Sequence, residues 1–245
     1  MIEKNVEIAT PDGSMTTFVC HPERDGPAPP ILFFMDAPGI REELRDMVRR
    51  LASVGYYVAL PNLYYRAGVL EPGPIVRDSS GRSQIADYLE MLTTPGVMDD
   101  ADALVDFVER DPEAARIGYG AVGYCMSGQY AVHLAARRGE LVRAAASIYG
   151  TWLVTDSPDS LHLAARRAPA ELYFACAEVD HWAPLEDVDS LRRDLEQHGR
   201  RWELELFAGC AHGFAFKSRE AYDCAAAERH WERLFSLFRR NLPRS

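Results

Sequence analysis

A thiol, an imidazole and a carboxylate can together pass a proton and attack a carbonyl carbon, and this sequence offers all three. Cys125 lies in Gly120-Ala121-Val122-Gly123-Tyr124-Cys125-Met126-Ser127-Gly128-Gln129-Tyr130. There a strand-like run turns sharply through small residues and continues into the helix-prone segment 131–136. A strand, a tight turn and a helix expose one side chain at the apex, where a nucleophile is useful. Glu178, Asp180 and His181 follow a later apolar run, and Cys210 and His212 follow the last one. The chemistry implied is acyl transfer: a thiolate attacks, a histidine moves the proton, and a carboxylate orients the histidine.

The elements that must position these groups can be read from periodicity. Val6–Thr10 and Thr16–Cys20 flank Pro11-Asp12-Gly13-Ser14 and predict a hairpin. Ile31-Leu32-Phe33-Phe34-Met35 is apolar throughout, as a strand covered on both faces must be. The loop Asp36-Ala37-Pro38-Gly39 leads into a helix from Arg41 to Ser53, with Leu44, Met47, Val48 and Leu51 on one face. A strand at Tyr56–Leu60 follows, then a long loop from Gly68 to Gly81. Helices are predicted over Ser83–Leu92 and Asp99–Arg110, followed by the strand and helix of the Cys125 turn. Beyond them come a strand to Tyr149, a helix at Pro158–Arg166, a strand at Glu171–Cys176 and a helix at Leu185–His198. The strand Trp202–Phe207 and a long helix, Arg219–Arg240, end the chain. Strands alternating with helices predict one α/β domain with a mostly parallel sheet and helices on both faces.

Bulk properties narrow the function. A chain of 245 residues, 47% apolar, can bury the core of one large domain. A formal charge of −10 argues against nucleic-acid or anionic-membrane partners, which need clustered cations. The arginine pairs fall near predicted helix ends, where cations meet the carbonyl pole. No apolar run reaches the roughly 18 residues that span a bilayer, and the N-terminus carries no export signal. Five widely spaced cysteines, 20, 125, 176, 210 and 224, predict free thiols and a cytoplasmic setting. None is spaced as C-x-x-C, so no structural zinc is expected, and acyl transfer on these side chains calls for no cofactor.

In an open α/β sheet, reactive groups collect at the carboxyl ends of strands. Asp36, Cys125, Asp180 and His212 all fall there, and the last three follow the chain order of an α/β-hydrolase triad. With these residues in view, the sequence resembles the dienelactone hydrolase family, the cysteine-nucleophile branch of the α/β-hydrolases. The resemblance covers nearly the whole chain. Its most specific blocks are Gly123-Tyr124-Cys125-Met126-Ser127-Gly128, Glu178-Val179-Asp180 and Ala211-His212-Gly213-Phe214, with Asn62-Leu63-Tyr64 as a further signature. It implies Cys125 as nucleophile, His212 as base, and Asp180 as the acid that fixes the imidazole. Glu178, Asp187 and Asp189 are competing acids. The backbone N–H groups of Met126 and Ala37 would form the oxyanion hole. Asp36 stands where the family places a glutamate that handles the resting thiol, and it is one methylene shorter.

The sequence also departs from the family. Members that hydrolyse dienelactone bind its carboxylate with arginines, one of them four residues beyond the histidine, where this chain has Phe216. Arg77 and Arg82 are candidates to compensate. Tyr64, Tyr65, Tyr149, Trp152, Trp182, Phe214 and Phe216 are expected to crowd the pocket rim, favouring a neutral or apolar ester or lactone. Ser127 is an alternative nucleophile inside the first helical turn, and His133, His181 and His230 read as structural, with His181 also a candidate to line the pocket. The alternatives are another acyl-transfer or C–C hydrolase on the same triad, or a silent fold that binds a small ligand. A monomer or homodimer is expected.

Overall fold

The computed structural model describes residues 1–24, 26–73 and 83–242, and the chain divides into two compact units, Met1–Arg116 and Ile117–Ser245. The first unit opens with strands β1 (Ile2–Thr10) and β2 (Gly13–His21), joined by the two-residue turn Pro11-Asp12 as an antiparallel hairpin. Strand β2 pairs antiparallel with β4 (Tyr57–Pro61), and β4 pairs parallel with β3 (Pro30–Phe34). Every residue of β3 and β4 is buried, as their unbroken apolar runs required. Helix α1 (Glu42–Ser53) turns Leu44, Met47, Val48 and Leu51 inward and packs on β2 and β4. Helices α2 (Gln84–Glu90) and α3 (Thr94–Arg110) complete the unit. Helix α3 begins at Thr94 rather than Asp99, because the Thr93 hydroxyl accepts from Gly96 N–H and caps the earlier turn.

The second unit holds β5 (Tyr119–Tyr124), β6 (Val142–Ile148), β7 (Glu171–Val179) and β8 (Trp202–Ala211), paired in that order and all parallel. Helix α4 (Gly128–Arg137) packs on β5 and β6, and α7 (Cys224–Asn241) packs on β6 and β7. Helix α5 (Leu161–Arg167) lies against α4 and against α6 (Leu185–His198). The α/β class and the mostly parallel pairing follow the predicted alternation.

Two differences from the periodicity reading matter for chemistry. Strands β7 and β8 continue past Cys176 and Phe207, through residues whose side chains are largely exposed. Ladder hydrogen bonds need only backbone groups, so pairing outruns the apolar pattern. Helix α7 starts at Cys224, not Arg219, with Asp223 as its cap. The residues before it form a series of tight turns. Among the described residues, no helix is long and apolar enough to cross a membrane.

Candidate active site

Strand β5 is buried at every position and ends at Tyr124, so Cys125 leaves the sheet abruptly. Its φ is +56°, a left-handed conformation that costs a non-glycine residue about 1–3 kcal/mol. The turn closes because its neighbours lack side chains. A Cβ on Gly123 would lie 1.9 Å from the Ser127 carbonyl oxygen, and one on Gly128 would lie 2.3 Å from Ser147 Oγ. Residues Cys125–Ser127 form one 3-10 turn before α4 begins at Gly128. The N-terminal end of this helical segment, with its partial positive charge, follows directly on Cys125. Cys125 is half-buried, whereas Ser127 is 0% exposed and could not meet a substrate.

The register of β7 and β8 places the acid beside the histidine. Val179 pairs with Ala211, and His212 N–H donates to the Val179 carbonyl at 3.2 Å. Asp180 and His212 therefore leave adjacent strand ends together. His212 Nδ1 lies 2.7 Å from Asp180 Oδ2, so with a proton on Nδ1 the imidazole donates to the carboxylate. The other oxygen, Oδ1, accepts from the backbone N–H groups of Trp182 at 2.8 Å and Ala183 at 3.3 Å. Asp180 thus has a buried side chain with both oxygens satisfied, and one of them serves the imidazole. Of the competing acids, Glu178 accepts from Gly209 N–H and Asp187 lies in the first turn of α6. Asp189 is exposed on α6.

Burial works against a charge on His212, but the Asp180 hydrogen bond and the nearby Cys125 thiol outweigh it, pushing the imidazole up to about 9. Nε2 is buried without a partner in hydrogen-bonding alignment, while the thiol is close enough to act on the ring's charge. The three expected triad residues thus lie within one compact unit.

Asp36 has different company. In the first unit its Oδ1 accepts from Arg41 Nη1 at 2.6 Å and its Oδ2 from Arg41 Nη2 at 3.2 Å. Arg41 also donates to the Gly39 carbonyl at 3.1 Å and to Glu43 at 3.1 Å. Its side chain is 23% exposed, that of Asp36 0%. The Asp36–Gly39 turn is further fastened by Tyr64, whose hydroxyl donates to the Ala37 carbonyl at 2.7 Å. Asn62 supports Tyr64 by accepting from its N–H, which gives the Asn62-Leu63-Tyr64 block a physical task. Periodicity marked Arg41 only as the start of a helix; nothing in its spacing announced the ion pair.

The pocket-rim expectation needs correction. Phe214 and Phe216 are 0% exposed, and Tyr64 and Tyr149 are 1% exposed, so none of these four lines an open rim. Phe214 stacks on Phe207, and Phe216 packs against Tyr124 and Tyr149. The run 211–216 folds back under the histidine through two tight turns, which buries these rings. Tyr65 donates to Asp100 and belongs to a network joining the hairpin turn to α3. Of the seven aromatic residues expected at the rim, Trp152, at 41% exposed, and Trp182, at 53%, present the most surface. Arg77 and Arg82 lie outside the described residues.

All five cysteines are free thiols. Burial pushes the thiol of Cys20 up to about 11 and that of Cys176 to about 12, and it also raises Cys210. Among the described residues no group of three or more His, Cys, Asp or Glu side chains could hold a metal. His133 bonds the Asp159 carbonyl, and His230 lies 3.2 Å from the Tyr124 hydroxyl, both inside the core. His181 is exposed and packs edge-on against Trp182.

Comparison with known proteins bears on this geometry. A protein of Methylorubrum extorquens with a provisional carboxymethylenebutenolidase name is 27% identical over 243 residues, covering 98% of this chain and 81% of its own. A Bradyrhizobium protein with a provisional 2-oxo-3-(5-oxofuran-2-ylidene)propanoate lactonase name is 24% identical, covering 97% and 94%. Among solved structures, a provisionally named dienelactone hydrolase from Klebsiella pneumoniae superposes with a TM-score of 0.86 at 23% identity, covering 97% and 98%. That likeness establishes the α/β-hydrolase fold. The profile of the dienelactone hydrolase family matches residues 15–242. The chain therefore belongs to the dienelactone hydrolase family of ester and lactone hydrolases.

Proposed function

We propose that this enzyme hydrolyses neutral or apolar esters or lactones through a thioester on Cys125. The observation that carries this reading is the 2.7 Å contact between Asp180 Oδ2 and His212 Nδ1, in the same unit as a thiol held on a strained turn. Cys125 attacks the acyl carbon as thiolate, its proton held by His212. The carbonyl oxygen becomes an oxyanion that backbone N–H groups stabilise, with Met126 as one donor. The carbon–oxygen bond then breaks, and the leaving alkoxide takes the proton from His212. Next, water gives a proton to Nε2 as its oxygen adds to the thioester, the thiolate departs, and the acid is released. Asp180 stays ionised and steadies the imidazolium.

A neutral substrate is supported by position 216, where the resemblance expects an arginine and this chain has a buried phenylalanine that supplies no charge for a carboxylate. Arg41 already serves Asp36 and Glu43. The cycle calls for no cofactor, and free thiols suit a cytoplasmic monomer or homodimer. Hydrolysis of p-nitrophenyl esters and of a lactone panel tests the proposal. Turnover should vanish in Cys125→Ala, and kcat/KM should favour uncharged aryl esters over dienelactone. A preference for dienelactone would overturn the substrate class, and turnover surviving in Cys125→Ala would overturn the nucleophile.

A further inference from the structure

The four residues after β6 contact the segments that carry Cys125, Asp180 and His212. Tyr149 N–H donates to the Ala175 carbonyl at 2.6 Å, tying the loop to β7. The Tyr149 ring meets the His212 ring edge-on, with centroids 5.1 Å apart. Thr151 N–H donates to the carbonyl of Cys125 at 3.3 Å. Trp152 N–H reaches the carbonyl of Trp182 at 3.5 Å, and Trp182 N–H in turn binds Asp180 Oδ1. Gly150 fits only because it lacks a side chain; a Cβ there would lie 2.2 Å from Ser147 Oγ.

Backbone strain marks the same place. Among the described residues, three non-glycine positions have positive φ: Cys125 itself, Tyr149 at +35° and Trp152 at +54°. Two of the three thus fall within this loop. Such conformations persist only where the surroundings over-determine them, and they cluster where geometry must be held for function. Tyr149 is 1% exposed and also packs on Tyr124 and Phe214. It joins the residue before the nucleophile to the ring of the base.

We propose that the loop Tyr149–Trp152 holds the elbow, the acid turn and the base in register, and that Tyr149 is a positioning residue for His212. The proposal rests on the Cys125–His212–Asp180 reading and recasts Tyr149 from pocket wall to buried support. One loop contacting all three segments means that a small displacement there misaligns the whole relay, and misplacements near 1 Å can cost about a hundredfold in rate.

Tyr149→Phe, Tyr149→Leu and Tyr149→Met separate the possibilities. Phenylalanine keeps the aromatic edge and should leave kcat within about twofold of the wild type. Leucine and methionine should lower kcat at least tenfold with KM within about twofold, and should slow alkylation of Cys125 by iodoacetamide in parallel. Methionine fills the volume without an edge, which separates ring geometry from packing. A change confined to KM would make Tyr149 a pocket residue and overturn the proposal. So would a loss of thermal stability with unchanged kcat and alkylation rate, or failure of both the leucine and methionine variants to fold. Alkylation is read without turnover, so an inactive wild type would count against the proposed reaction and not against this positioning role.

Discussion

Asp36 and Asp180 are both aspartates at strand ends with side chains 0% exposed, yet their partners divide them. Asp36 gives both oxygens to Arg41, a cation that never loses its charge near neutral pH. Asp180 gives one oxygen to backbone donors and the other to an imidazole, a group that can gain and lose a proton. A buried carboxylate fixed to guanidinium shapes a loop. A buried carboxylate facing histidine can follow a reaction. Asp36 is one methylene shorter than the glutamate that the resemblance implies, and both its oxygens accept from Arg41.

The largest effect that could break this contrast is on turnover. Asp180→Asn should lower kcat by about a thousandfold to ten-thousandfold while the protein stays folded, because the amide cannot steady the imidazolium. Retained turnover in that variant, measured with a chromogenic ester, would remove Asp180 from the relay. Asp36→Asn should instead act on stability, costing about 1–3 kcal/mol by weakening the charge-assisted bonds to Arg41, which keeps Glu43 as its other acidic partner. Denaturant unfolding would read that loss. A collapse of kcat at unchanged stability would place Asp36 in the chemistry after all.

The third effect is smaller and depends on pH. Because folding raises the His212 imidazole from an ordinary 6.5 to about 9, the protonated ring stabilises the fold. That contribution is fully present below about pH 6.5 and is lost as pH climbs through 9. The difference in melting temperature between wild type and His212→Gln should therefore shrink across that window. A pH-independent difference would mean that His212 gains no proton affinity on folding.

Much of this was legible in the sequence, for identifiable reasons. The apolar runs at β3 and β5 and the small residues around Cys125 report burial and a sharp turn directly, so the elbow could be read at once. Asp180 and His212 could be placed at strand ends, although the apolar pattern stopped short of where pairing stops. What escaped was information carried by backbone contacts. Thr151 shows no signal in its side chain because it acts through its N–H, and Tyr149 looked like a rim residue because an aromatic near a strand end is equally consistent with core. Phe214 and Phe216 were misplaced for the same reason. A one-dimensional pattern does not record the chain folding back under its own histidine.

The buried thiols have a consequence for the enzyme's life in an oxidising cell. Three of the five cysteines, Cys20, Cys176 and Cys210, are buried and hold their protons tightly, so peroxide meets little thiolate there. The oxidant is left with exposed Cys224 and half-buried Cys125. Damage at the first spares the proposed triad, whereas on the proposed thioester mechanism a sulfenic acid at Cys125 would stop catalysis with the fold intact. Loss of activity under oxidative stress would then be a single-atom event that a thiol reductant can reverse.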